Sequence, residues 1–303
     1  MSDGNRRFSN QWFEQWTKTD SYLASDGRVN RIPLRLTSTN LVIFGGATLD
    51  EVLKEFEHEE YRPITVGNKV PVQIWFNNFI DTDCGPFDRI NPYVETWYSF
   101  PVTPKARPVD LPYENPFSYN VMHPEALVWV HRVLCGPDKN GNDMGARAAI
   151  AGGREVWGFP KHPAVADLSF RYLDKDIVSF TGALQGKKAI TASVVLPEIV
   201  AGSVAVPVDA RTAPDGCLTP TQNPLVPGFI PKQTRYGQAF CATMNFAPWN
   251  PTTDSLEIHA DDTFYGALLK SWNFAPALKM HAPDFKIVAF KPDGWNPRHW
   301  KGD

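Results

Sequence analysis

Alternation of apolar and polar positions is the main signal along the chain. "VPVQIWFNNFI" (70–80), "PYVETWYSF" (92–100) and "EALVWVHRVL" (125–134) combine period two with β-branched and aromatic residues, and each predicts a strand. "AVADLSFRYL", "DIVSFTGAL" and "KAITASVVL" predict an antiparallel meander with short turns at Asp174-Lys175 and Gln185-Gly186. "RYGQAFCATMNFA", "DSLEIHA" and "DFKIVAF" add strands near the C-terminus. Helical periodicity is sparse. In "TLDEVLKEFEHEEY", Thr48 and Glu51 have capping-box spacing and Val52, Leu53 and Phe56 make the apolar stripe. "MGARAAIAGGREV" (144–156) predicts a short helix that fails at Gly152-Gly153, and "TFYGALLKSW" predicts a third helix.

Residues 1–30 are polar with a few aromatics and are expected to form an arm on the body or on a neighbouring subunit. Residues 207–232 hold six prolines without periodicity, which predicts a long loop acting as a lid or an oligomer contact. No internal repeat is evident. Many short strands without alternating helices exclude a doubly wound sheet and predict a mainly β (α+β) barrel or sandwich, one domain over 31–303 after the arm.

Composition narrows the partners. Thirty basic residues against 33 acidic ones give a net charge of −3, so no global field recruits nucleic acid or an anionic membrane. Cys84, Cys135, Cys217 and Cys241 are scattered without a CxxC pair, which fits a reducing, cytoplasmic setting better than a disulfide framework. No apolar stretch reaches the ~18 residues of a membrane span. The seven histidines lack ligand spacing, and neither Gly45-Gly46 nor Gly152-Gly153 belongs to a phosphate loop, so no metal or dissociable cofactor is expected. A small molecule is the expected partner.

One local stretch carries chemistry. In "AIAGGREVWGFPKHPAVA" (149–166), Lys161 stands among Trp157, Phe159, Pro160 and Pro163. Pro160 fixes its own φ and pushes Phe159 into an extended conformation, so the segment aims the lysine stiffly. Two outcomes fit such a setting. Either the stem packs and the ammonium escapes to water, or desolvation lowers the amine's pKa and leaves a neutral nucleophile for carbonyl carbon.

The motif "GGREVWGFPKHPA" resembles the Schiff-base lysine motif of the acetoacetate decarboxylase family. That resemblance implies an antiparallel, cone-like β-barrel with a few peripheral helices, a homo-oligomer, and an imine formed at Lys161 with a β-oxo acid. "NPYVETWYSFPV" is similar to the family's strand bearing the catalytic carboxylate, which implies that role for Glu95. Period two puts Tyr93 and Trp97 on the same face as Glu95, so these two, with Trp157 and Phe159, are expected to contact substrate. His162 stands where the decarboxylases have a second lysine; it is a candidate proton shuttle, set against the alternation that turns it to the opposite face. Asn77 or Asn78 falls where the family has another acid. The family's carboxylate-binding arginine corresponds to Arg31 or Arg35, with Arg35 taken as the candidate. The expected activity is decarboxylation of a β-oxo acid. The alternatives are aldolase or dehydratase chemistry on a bulkier oxo acid or secondary metabolite, and a binding barrel without turnover.

Overall fold

Strand segments whose side chains are apolar at successive positions, such as "LVIFG" (41–45), cannot rest one face on water, and both faces of the resulting sheet are covered. The computed structural model describes residues 11–16, 20–83, 89–90, 92–108, 127–138, 143–157, 159–164, 168–174, 177–184, 186–211, 217–218, 235–236, 238–262 and 264–290. Helix α1 (Gln11–Glu14) and a hairpin of β1 (Asp20–Leu23) and β2 (Val29–Ile32) come first. Then follow β3 (Leu34–Thr48), α2 (Leu49–Leu53), β4 (Tyr61–Pro63), β5 (Lys69–Asp83), β6 (Arg89–Ile90), β7 (Tyr93–Pro104) and β8 (Leu127–Asp138). Helix α3 (Asp143–Trp157) leads into β9 (Lys161–Pro163) and a meander of β10 (Leu168–Asp174), β11 (Ile177–Leu184) and β12 (Lys187–Val195). The chain continues through β13 (Val204–Arg211), β14 (Cys217–Leu218), β15 (Arg235–Tyr236), β16 (Gln238–Pro248), β17 (Ser255–Ile258), α4 (Gly266–Ser271) and β18 (Ala275–Ala289).

Among the described residues, twelve strands form one sheet, in the order β13-β16-β18-β3-β5-β7-β8-β14-β15, with β4 on β7, β6 on β5 and β9 on β8. A second sheet runs β10-β11-β12-β17. Alternation along β3 sorts the two faces. Leu41 and Ile43 join Ile74, Phe76 and Phe100, and this face packs on Val178, Phe180 and Ile190 of the four-stranded sheet and on Leu269 of α4. The Phe76 and Phe180 rings meet at 4.4 Å between centroids. Each such ring, removed from water, contributes about 1.5–3 kcal/mol. Val42 and Phe44 point the other way, with Trp75, Phe240 and Phe285. On that side β3, β5, β7, β8, β16 and β18 all line one cavity, so the sheet curves around it. Among the described residues, β13 and β15 end the strand order, with no ladder joining them.

Several sequence expectations are corrected. Helix α2 has five residues and no capping box: Thr48 still belongs to β3 opposite Lys69, its side chain makes no cap bond, and Glu51 pairs with Lys54 at 2.7 Å. Val52 and Phe56 are buried, but Leu53 is exposed. Helix α3 does not fail at Gly152-Gly153; it runs through both, for a reason that belongs to the site. Part of the expected loop over 207–232 is strand: β13 pairs along its length with β16, and Cys217 and Leu218 form β14. Residues 212–216 and 219–234 lie outside the described residues. Within the expected arm, Phe13 packs with Ala239 and Val288 of the same chain.

Candidate active site

Lys161 is the first residue of β9, which runs parallel to β8 with Lys161 level with Val133. Three backbone bonds set its place. Phe159 N–H donates to Gly153 O (3.0 Å), Val133 N–H donates to Pro160 O (3.2 Å), and Lys161 N–H closes a tight turn on Phe159 O (2.7 Å). Helix α3 adds the grip. Arg154 donates Nε–H to Lys161 O at 2.7 Å, and its Nη2 donates to the same oxygen. A Cβ at Gly153 would lie 2.5 Å from both Cδ and Cε of Lys161, so only glycine lets the lysine stem cross the helix here. That close approach explains why the helix carries a glycine in its interior despite the cost in propensity. Glu155 accepts from Ser25 N–H (3.0 Å) and from the Ser25 hydroxyl, tying the β1–β2 hairpin to α3. Trp157 Nε1–H donates to Phe290 O at 2.7 Å.

Glu95, on β7, is opposite Cys135 of β8 on one side and Asn77 of β5 on the other. Its Oε2 lies 2.6 Å from Lys161 Nζ and also accepts from the Cys135 thiol at 3.2 Å. Lys161 and Glu95 are 7% and 5% exposed, so their attraction is little screened. The Phe159 and Tyr93 rings lie 5.7 and 5.9 Å from Nζ, within cation–π range. Burial pulls the Lys161 ammonium toward deprotonation, but the Glu95 carboxylate outweighs it, and the net shift is upward. This corrects the expectation of a neutral resting amine: the amine is dry, yet its proton is held by a carboxylate 66 residues away in sequence. Burial and the neighbouring Glu95 charge push the Cys135 thiol well up, so it acts as a neutral donor.

The pair opens into a cavity of about 160 Å³. Tyr93, Trp97, Trp157 and Phe159 all line it, with Glu95 and Lys161. Trp97 stacks on Trp75 (centroids 4.9 Å, planes 11° apart), and Phe240 stacks on Phe285 (5.5 Å, 13°), giving flat aromatic walls.

Two candidates take no place in the cavity. His162 faces the opposite side of β9, where its ring sits 3.9 Å from that of Phe264. Burial there, with Arg154 and Arg132 nearby, lowers its pKa to about 4, so it is neutral and remote rather than a shuttle. Arg35 lies between Leu34 and Leu36, which do line the cavity; Arg35 itself turns away, and its Nη2 donates to Trp16 O. Arg31 is exposed on β2. Of the two asparagines, Asn77 lines the cavity, while Asn78 lies on the other face of β5. Sequence reasoning missed Cys135, Gln73 and Trp75. Gln73 and Asn77, at alternate positions of an otherwise apolar strand, were the available signal for a polar spot on that face. Among the described residues, no group of three or more His, Cys, Asp or Glu is placed to hold a metal, and no helix is long and apolar enough to cross a membrane.

The architecture has known counterparts. Acetoacetate decarboxylase from Legionella pneumophila subsp. pneumophila str. Philadelphia 1 superposes with a TM-score of 0.51 at 13% identity, over 96% of this chain and 98% of that one. The fold is acetoacetate decarboxylase-like. A second acetoacetate decarboxylase structure gives a TM-score of 0.48 at 12% identity over 87% and 91% of the two chains. An acetoacetate decarboxylase-like enzyme from Sphingomonas wittichii RW1 gives 0.46 at 9% over 86% and 92%. No family model and no curated protein matches the sequence.

Proposed function

We propose that the protein is an imine-forming lyase in which Lys161 condenses with the carbonyl of a small oxo compound and Glu95 carries the protons. The observation that carries this reading is the buried Lys161–Glu95 pair, 2.6 Å apart at the wall of an otherwise apolar cavity. The acetoacetate decarboxylase-like fold adds support.

The steps balance within the pair. Lys161 passes its proton to Glu95, and the freed amine attacks the carbonyl carbon. The proton on Glu95 leaves with the carbinolamine oxygen as water, so the iminium forms beside a regenerated carboxylate. The positive iminium withdraws electrons from a bond one carbon away. In a β-oxo acid that bond releases carbon dioxide; in a β-hydroxy carbonyl compound Glu95 takes the hydroxyl proton and a carbonyl fragment leaves. The enamine is then protonated, by Glu95 in the second case and with a proton drawn from solvent in the first. Hydrolysis frees the product. The chemistry needs no dissociable cofactor, because the electron sink is the chain's own nitrogen.

Incubating the protein with a ketone or β-oxo acid panel and sodium borohydride tests this. The expected result is a reduced adduct on Lys161, read by peptide mass, and no adduct in Lys161→Met with its fold intact by circular dichroism. A ligand that binds without any Lys161 adduct overturns the reading and leaves a binding protein.

A further inference from the structure

The cavity wall is nearly free of charge. Among the described residues that line it, the charged side chains are Lys161 and Glu95, and each neutralises the other. The candidate arginines point elsewhere. A substrate carboxylate entering here would lose its water and meet aromatic walls, with the Glu95 charge beside Lys161, the one cation among the described lining residues. Burying a charge without a partner costs several kcal/mol.

The wall does offer neutral polar groups. Asn77 is 2% exposed, lines the cavity, and its Nδ2 has no hydrogen-bond partner among the described residues. Gln73, 1% exposed, spends Nε2 on Ser99 Oγ (2.7 Å) and leaves Oε1 without a partner. Thr82 Oγ1, also on the wall, has none either. Buried polar atoms left in this state are costly in a folded protein unless a ligand or water meets them. Their placement matters. Asn77 is directly opposite Glu95 across the β5–β7 ladder, so its amide lies beside the carboxylate that handles protons. An oxygen meeting that amide sits a short way along the substrate from the imine carbon.

Resting on the imine reading above, we propose that the substrate is an electroneutral, largely apolar carbonyl compound with a second uncharged oxygen, a hydroxyl on the carbon β to the carbonyl, which accepts from Asn77. The aromatic walls hold its apolar body, and Glu95 stands within reach of the hydroxyl proton. With no carboxylate to lose, the bond broken is the carbon–carbon bond between the carbonyl-bearing carbon chain and the hydroxyl-bearing carbon. The products are an aldehyde or ketone fragment and, after hydrolysis of the imine, a second ketone.

Three probes of one skeleton test this: 4-hydroxy-4-phenylbutan-2-one, its deoxy parent 4-phenylbutan-2-one, and the acid 3-oxo-5-phenylpentanoate. The concentration giving half-maximal borohydride adduct on Lys161 is measured for each. The neutral ketones are expected to saturate at a concentration at least roughly 10-fold lower than the acid, the least that an unpaired buried charge implies. The hydroxy ketone is expected to lead its deoxy parent by roughly 3–10-fold, the size of one neutral hydrogen bond, and Asn77→Leu should erase that lead. Tighter capture of the acid, or a hydroxy-ketone lead unchanged in Asn77→Leu, overturns this proposal alone. The wild-type comparison stands even if the variant does not fold. Absence of a Lys161 adduct from all three probes overturns the imine reading and this proposal with it.

Discussion

Replacing Glu95 by glutamine keeps the shape of the site and removes its negative charge, and the two halves of the proposed chemistry then move in opposite directions. At 2.6 Å the Coulombic attraction within the pair is on the order of 6 kcal/mol at an effective dielectric of 20. That attraction opposes burial, which by itself lowers the pKa of enclosed lysines by as much as about 3–5 units. Burial pulls the Lys161 pKa down and the carboxylate more than offsets it, so with the carboxylate in place the pKa is raised; without it, the largest opposing cause is gone and the amine gives up its proton more readily. In Glu95→Gln the free amine should therefore be available from a lower pH, so the onset of borohydride trapping moves down in pH, while the plateau rate of trapping falls because the carbinolamine loses the acid that expels its water. Catalytic turnover should fall by roughly 10²–10⁴-fold, because no group remains to move protons on the hydroxyl or the enamine. The assay pairs single-turnover trapping from pH 6 to pH 10 with steady-state cleavage of the same probe. A trapping profile that shifts to higher pH in the variant would refute the reasoning, since it would mean that Glu95 does not hold the Lys161 proton.

Gly153→Ala should spare the fold and damage the site. The new methyl meets the flexible stem of Lys161 at 2.5 Å, so Tm should hold or rise with the better helix propensity, while displacement of Nζ lowers kcat by about 10²-fold. A matching fall in Tm and unchanged kcat would contradict this. His162, lowered to about pKa 4 from an ordinary 6.5, binds a proton more readily in the unfolded chain. Its contribution to stability is complete above pH 6.5 and is lost as pH falls toward 4, by about 1–2 kcal/mol once its part-exposed ring is allowed for. Urea denaturation at pH 7 and pH 4.5 should show a smaller acid loss in His162→Asn than in the native protein. His131, buried and also lowered, accounts for part of the slope that remains.

What could be read in advance follows the range of the physics involved. Strand positions were legible because alternation is local, and the same alternation put Tyr93, Glu95 and Trp97 on one face. It also held the evidence against His162 and Arg35, each flanked by a residue that does reach the cavity. Lys161 stood out because its apolar neighbours adjoin it in sequence. Its charge state did not, because the deciding carboxylate arrives from β7 and the thiol behind it from β8. The continuity of α3 through Gly152-Gly153 was hidden for a similar reason. Propensity scores glycine as a defect, and only the crossing lysine stem turns the missing side chain into a requirement.

The same placement resolves an apparent conflict between a raised lysine pKa and a nucleophilic role. A neutral resting amine would leave Glu95 as an uncompensated charge inside an apolar wall, or force it to take a proton from solvent before each cycle. As an ion pair the site is neutral overall and carries its own proton, so the transfer that frees the amine moves charge by less than 3 Å and changes the net charge of the cavity not at all. A carbonyl compound that closes the cavity removes residual water and weakens the charged form of the pair relative to the neutral one, since both ions lose solvation while amine and acid lose little. Binding of an uncharged substrate would thus favour the reactive protonation state. A carboxylate placed beside the ammonium would favour the unreactive one, and this ties the electroneutral lining of the cavity to the chemistry of the dyad rather than to affinity alone.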